Sequence, residues 1–537
     1  MADLKLVYEP IEIGRVTIPN RIVRSAHGTC LSQGIMHDDL IAYHLERAKG
    51  GVGLSCIEMS AVHPSSVTPG GLISWDDSII DGYRKLVKAV SPYGMVLFQQ
   101  VAHSGHMYTG VDGMLYSSSA TPNPITGQVP VAMSRDQIAE LIEAFGETAR
   151  RVVEGGISGI EVHAGHGYLF NQFLSPVVNQ REDEYGGSLE NRTRLLRQVL
   201  KVIRDVVPEG FPIGIRLSDD ETAGGMTREE DAQLVADLEA EGAIDFINGS
   251  RGSYYAFGKM IMSMEYPVGG MIPSSGTIAA GARRIPRILT AGRVRTLEEA
   301  EGLLREDEGD LIVMNRAFIA DPYIVSKTRA GNADQVRPCI ACNQGCVGGE
   351  VMRGRLGCTV NPAVGVEATL AEDLIRPTDS PRKVLVVGGG PAGMEAARTA
   401  ALRGHSVVLV EAGPNLGGNV NIARLAPRLY ALGDITTWLE GELYRLGVEI
   451  RNNSYMEADD VLAENPDIVI IATGSLPRMV GRQMLFPGLP VKGVELPHVR
   501  SSEEVLTLPS DFVLPEAAFV FDDVGGDESF STPQWLG

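Results

Sequence analysis

From Val7 to about Ala333, short apolar runs alternate with segments of helical period. Val96-Leu97-Phe98, Gly159-Ile160-Glu161-Val162 and Pro212-Ile213-Gly214-Ile215 read as buried strands. Between two of them, Asp136 to Val153 sets Ile138, Leu141, Ile142, Phe145 and Ala149 on one stripe of a helix. Strand-then-helix repetition over so long a stretch implies a parallel sheet, closed or doubly wound. Length and regularity favour a (β/α)8 barrel over residues 1–335, which gathers chemistry on the loops that follow the strands. A cysteine-bearing segment, 336–366, comes next, and 367–382 is charged and Pro-containing, as a linker would be. A second α/β unit then begins. Lys383 to Val387 reads as a strand, Gly388 to Gly393 as a tight turn, Met394 to Leu402 as a helix and Ser406 to Val410 as the next strand, the start of a partial Rossmann-like domain over 383–510.

Charge and cysteine content narrow the partners. The net charge of -21, from 68 acidic and 47 basic residues, repels phosphate backbones and anionic lipid, so neither nucleic acid nor membrane is expected as a partner. The N-terminal run MADLKLVYEPIEIG has no basic cap, apolar core or cleavage site, and no later stretch reaches about 18 uninterrupted apolar residues. A cytoplasmic protein is expected. Six cysteines are too few for a disulfide framework at this length, and four of them fall between positions 339 and 358, which points to metal.

Those four, Cys339, Cys342, Cys346 and Cys358, have the spacing C-x2-C-x3-C-x11-C. Structural zinc usually shows two C-x2-C halves, whereas a three-plus-one set suits a 4Fe-4S cluster taking one thiolate per iron. Zinc remains the alternative. Cys30 and Cys56 stand singly and read as buried structural thiols. In the second unit, Gly388, Gly390 and Gly393 fit G-x-G-x-x-G between strand and helix, and Glu411 closes the next strand, where a carboxylate accepts both hydroxyls of an adenosine ribose. A turn in an ordinary α/β domain is the competing reading, and Gly417-Gly418 with Ile468 to Gly474 lend support to the dinucleotide.

Several blocks then resemble one family. Pro19-Asn20-Arg21, Gln100-Val-Ala-His103-Ser-Gly105, the run from His163 through Tyr168 to Pro176, and Asn179 to Arg192 are similar to the old yellow enzyme barrel. The cysteine run and glycine turn extend the resemblance to 2,4-dienoyl-CoA reductase, trimethylamine dehydrogenase and related N-demethylases, over nearly the whole chain. It implies FMN at the C-terminal mouth of the barrel. Ser25, Ala26 and His27 would line the flavin, Gln100 would bond its pyrimidine edge, and Arg216 would set a cation near N1 and O2. Gly292 and Arg293, with Asn315 and Arg316, would take the phosphate, Asn315 replacing a more usual glycine. Gly28 stands where some amine dehydrogenases carry a flavin-linking cysteine, so covalent FMN is not expected. The resemblance also implies that 511–537, with a strand from Ala517 to Gly525, opens a pyridine-nucleotide domain that the chain leaves short. FAD binding by the partial domain is on that account uncertain, and NAD(P)H is a possible donor.

The chemistry implied is reduction of an activated C=C bond in an enoate, enone or dienoyl thioester. His163 and His166, at i, i+3 on a short helical turn, would present two donors to a carbonyl oxygen, and Tyr168 would protonate carbon. The alternative for the histidines and tyrosine is ordinary packing. Arg181, Asp183, Glu184 and Arg192 are expected to hold the loop through ion pairs. Two other functions stay open: oxidative N-demethylation of an amine, caged by Tyr254, Tyr255 and Tyr266, and a non-catalytic electron-transfer subunit, with an electron-transfer partner or a homo-oligomer.

Overall fold

The computed structural model describes residues 4–219, 222–522 and 527–536. The chain forms two compact units, Met1–Ala371 and Glu372–Gly537.

In the first unit, eight strands close a parallel ring: β1 (Ile22–Arg24), β2 (Leu54–Ala61), β3 (Val96–Ala102), β4 (Gly159–His163), β5 (Ile213–Ser218), β6 (Phe246–Ser250), β7 (Arg287–Leu289) and β8 (Leu311–Val313). Each pairs with the next, and β8 pairs back to β1. Alternation along each strand sorts the side chains. In β4, Ile160 and Val162 join the layer beneath the helices, a core shared with Leu141, Phe145 and Leu195. The helix that supplies Leu141 and Phe145 spans Arg135–Glu154 and is closed at its start by a Ser134/Gln137 capping box. Val23, Leu54, Phe98, Phe246 and Leu311 fill the barrel interior with Ile13 and Ile18 of an antiparallel hairpin, which seals that layer. The layer above them is polar, because Gln100, Glu161, His163, Arg216 and Asn248 occupy the ends of successive strands. Register sets them side by side: Gln100 opposite Glu161, His163 opposite Arg216, and Arg216 opposite Asn248.

The cysteine segment packs onto the barrel instead of standing apart, with Leu356 and Val364 in the barrel's own core. The linker expected over 367–382 therefore starts too early. Glu367–Leu370 is a helical turn, and Glu367 is buried against the fully buried Arg47 at 2.7 Å, an ion pair that a free linker would not bury.

The second unit is a four-stranded parallel sheet of β9 (Lys383–Val387), β10 (Ser406–Val410), β11 (Glu449–Arg451) and β12 (Ile468–Ile471), in the order β11-β10-β9-β12. The β9–β10 crossover helix is Pro391–Leu402, longer by a turn than its apolar stripe predicts because Pro391 opens it at N1. The strand expected from Ala517 is absent through Asp522, and Asp523 to Gly525 lie outside the described residues. Phe519 is 90% exposed, and a lone extended segment has no neighbour for its N–H and C=O groups. Among the described residues no helix is long and apolar enough to cross a membrane.

Candidate active site

At the C-terminal mouth of the barrel a buried carboxylate organises its neighbours. Glu161 accepts from Gln100 Nε2 at 2.7 Å and from Asn248 Nδ2 at 2.8 Å, and Asn248 also donates to Ser25 Oγ at 3.0 Å. Arg216 lies alongside, donating from Nη1 to the Ala26 carbonyl at 2.9 Å and from Nη2 to Ser250 Oγ at 3.3 Å. Its Nε is buried without a partner among the described residues. A buried guanidinium N–H left unmet is costly, and an acceptor edge of a bound flavin would satisfy it. Burial lowers the Arg216 pKa from its ordinary value, with Glu161 opposing the shift. His27 faces Tyr43 OH at 3.1 Å, and burial, then the Arg24 cation, push its pKa far below the usual imidazole value. Glu161 and Asn248 went unremarked in the sequence, although a glutamate inside an apolar strand is itself a signal, since burying a charge demands partners.

The expected phosphate residues divide. Gly292 and Arg293 both have positive φ, 83° and 61°, on the loop after β7, and Arg293 Nη1 donates to the Met264 carbonyl at 3.0 Å. Asn315 follows β8, and its Oδ1 is buried without a partner among the described residues. Arg316 departs from expectation. Its Nη1 donates to Asn343 Oδ1 at 2.6 Å, and the residue lines the cavity of the four cysteines.

The histidines meet, but not on a helical turn. His163 ends β4, and His166 lies three residues on in left-handed backbone, φ 60°. His163 Nδ1 accepts the Gly165 N–H at 3.3 Å, so its proton sits on Nε2 and points at His166 Nδ1, 3.1 Å away. His166 then gives its Nε2 proton to Ser250 Oγ at 2.9 Å. Burial and the Arg216 cation drive both pKa values well below 6.5, so both rings are neutral. Tyr168 stands edge-on to His163, ring centroids 4.9 Å apart, and its hydroxyl meets Tyr254 OH at 2.9 Å, which in turn meets Tyr108 OH at 3.2 Å. Burial raises the Tyr168 pKa, keeping the phenol protonated. Of the expected cage, Tyr254 is at Tyr168, Tyr255 pairs with His106 Nε2 at 2.8 Å, and Tyr266 makes no ring contact with them among the described residues. Tyr108, distant in sequence, takes its place.

Cys339, Cys342, Cys346 and Cys358 line one cavity. The loop reaches it through left-handed Ala341 and Asn343 and through Gly345, where a Cβ would lie 2.6 Å from the Cys358 Cα. Among the described residues no group of three or more His, Cys, Asp or Glu is disposed to hold a metal ion, so what the structure gives for these thiols is a shared cavity. Cys56 is buried, its thiol 3.8 Å from Glu161, while Cys30 is only half-buried, against the expectation for it, because its loop lies at the mouth. Arg181 pairs with Asp183 at 2.6 Å and Arg192 with Glu230 at 3.4 Å, so the loop is held by ion pairs.

In the second unit, a Cβ at Gly393 would run into the Gly388 carbonyl, while at Gly390 it would meet nothing within 4 Å. The first glycine is fixed by the fold and the second leaves room for a ligand, as a pyrophosphate requires. Glu411 accepts from the Gly389 and Gly413 N–H groups, both at 2.7 Å, which sets its carboxylate against the turn.

The sequence profile of the NADH:flavin oxidoreductase / NADH oxidase family matches residues 6–335, and that of FAD dependent oxidoreductases matches 383–458. The chain is 38% identical to an NADH oxidase of Thermoanaerobacter brockii, across 87% of this chain and 72% of that protein. It is 35% identical to an N,N-dimethylglycine/sarcosine dehydrogenase of Chromohalobacter salexigens, across 88% and 69%. A solved 2-naphthoyl-CoA reductase complex superposes with a TM-score of 0.86 at 30% identity, covering 99% of this chain and 81% of the other.

Proposed function

The chain belongs to the NADH:flavin oxidoreductase / NADH oxidase family, and from that premise we propose that its barrel reduces an activated carbon–carbon double bond at bound FMN. When bound, FMN supplies the hydride, at N5. Ser25, Ala26, His27, Gln100 and Arg216 would hold its ring, with the buried unmet Nε of Arg216 as the observation in favour. Gly292, Arg293 and Asn315 would hold the phosphate. His163 gives its Nε2 proton to His166, and a substrate carbonyl oxygen would take that donor instead. Tyr168 would deliver the proton to carbon.

The single observation that carries this reading is the Tyr168 hydroxyl, protonated, edge-on to the histidine pair and fixed by Tyr254. Cys339, Cys342, Cys346 and Cys358 would hold a 4Fe-4S cluster. Gly388, Gly390, Gly393 and Glu411 would hold the adenosine part of FAD, electrons arriving from NAD(P)H. The thiols suit a reducing compartment, the cytoplasm. A second reading, oxidative N-demethylation of an amine, draws support from the ring faces of Tyr108, Tyr168 and Tyr254, which suit an alkylammonium.

Tyr168→Phe tests the assignment. Packing and FMN reduction should stay near wild type, while reoxidation of reduced FMN by an enone slows by at least about a hundredfold, the usual scale of general-acid catalysis. Wild-type reoxidation in stopped flow would remove Tyr168 from the reaction.

A further inference from the structure

The cavity of the four cysteines is lined by no carboxylate and no imidazole, and the cation among its lining residues is Arg316. Four thiols beside one guanidinium suit a cluster of net negative charge, so this donor set fits the group proposed above. Three of the sulfurs meet the backbone. Cys339 accepts the Ala341 N–H at 3.4 Å, Cys346 that of Val347, and Cys358 those of Val360 and Asn361. A backbone donor is the same whichever side chain it carries, so these contacts follow from how the loop folds. Cys342 differs. Its sulfur stands 3.1 Å from the hydroxyl of Thr359, a donor that the sequence itself selects.

Toward a thiol a hydroxyl can donate or accept, but a metal-bound cysteine is a thiolate and only accepts, so the proton of this contact belongs to Thr359. The surrounding chain is tied down. Val360, the next residue, gives its carbonyl to the buried Arg337 Nη1 at 2.5 Å, and the Leu356 N–H donates to the Thr29 carbonyl of the barrel at 2.8 Å. Thr359 is exposed and also lines the cavity, so its side chain decides what Cys342 meets on that side.

We propose that Thr359 is a positioning residue of the cluster, whose hydroxyl donates to the Cys342 thiolate and raises the potential at which the cluster takes an electron. Reduction adds one negative charge to the iron and sulfur atoms, and a donor aimed at a ligand sulfur stabilises the reduced form more than the oxidised one. The other three sulfurs keep their backbone donors whatever side chain follows Cys358, so this position alters the potential without altering the ligands. The proposal rests on the cluster reading above.

The test is an anaerobic redox titration of the purified protein, with iron and sulfide counted first, the cluster followed by electron paramagnetic resonance and FMN by its absorbance. Thr359→Val keeps the shape, removes the donor and sets a methyl group against the sulfur. At a fixed applied potential its ratio of reduced to oxidised cluster should fall about tenfold, a midpoint lower by about 59 mV for one electron, with iron, sulfide and the FMN midpoint unchanged. Thr359→Ser, which keeps the hydroxyl, should stay within about twofold of the wild-type ratio. Thr359→Ala, which lets water reach the sulfur, should shift the same way by less, and it decides the question if valine prevents assembly. Equal cluster midpoints in wild type and the variants that lack the hydroxyl, or a serine variant that behaves as valine does, overturn the proposal and leave the cluster reading standing. A wild type without iron and sulfide removes the cluster reading and the proposal together.

Discussion

Glu161 carries more of the site than its single letter in an apolar strand suggests. It holds the Gln100 amide at 2.7 Å and the Asn248 amide at 2.8 Å, fixing groups on both sides of Arg216. Glu161→Gln keeps the shape but turns one acceptor into a donor. Hydrogen bonds to a charged group contribute about 1.5–3 kcal/mol, so FMN affinity should fall by at least about tenfold in a fluorescence titration. Unchanged affinity would make Glu161 a packing residue only. The buried histidines make a second prediction. His103, lowered by burial to about 3, and His106, lowered to about 4, are neutral in the fold, whereas the unfolded chain takes up protons below about 6.5. Stability from these groups is therefore complete above pH 6.5 and is lost as pH falls toward 4, by about 1.4 kcal/mol per pH unit for each. Melting of the first unit should drop steadily from pH 7 to pH 5, and a flat profile would mean that these rings are solvated.

At the scale of elements, the barrel was legible because strand and helix periods alternate without interruption, and because register, once parallel, leaves few ways to order the ends of β3 to β6. It was the family resemblance that set Gln100, His163 and Arg216 at one mouth, and the register of the strands brings the three together. The helical turn expected for His163 and His166 was not borne out, since spacing i, i+3 is also met by a strand end followed by one left-handed residue, and backbone handedness at His166 leaves no mark in a non-glycine letter. Tyr108 was missed because its partners Tyr254 and Tyr168 are joined to it only through the closed ring. The cysteine loop was read from spacing, whereas its packing onto the barrel depends on Leu356 and Val364, which carry no spacing signal. Gly345→Ala should prevent that loop from closing on Cys358. Anaerobically purified wild type should carry iron and acid-labile sulfide at about 4:4 per chain, and the variant neither, with FMN retained. Zinc at one equivalent without sulfide in wild type would refute the cluster.

For the whole molecule, the two units carry separate features: a mouth that joins a polar layer to a histidine pair and three phenols, and a glycine turn open at Gly390. The chain spans 72% of the Thermoanaerobacter NADH oxidase and 69% of the Chromohalobacter dehydrogenase, relatives whose names describe different reactions. Membership of the family thus leaves the direction of electron flow at the barrel to be decided by the site. The double-bond reading makes the reduced flavin a donor, the amine reading makes the oxidised flavin an acceptor, and both are visible in flavin absorbance without any supply from the second unit. The deciding measurement is anaerobic stopped flow on the photoreduced protein mixed with an uncharged enone, beside the oxidised protein mixed with a methylated amine. The account predicts rapid, saturable reoxidation of FMN by the enone. Reduced flavin that persists with every enone offered, while a methylated amine bleaches the oxidised enzyme, would contradict it.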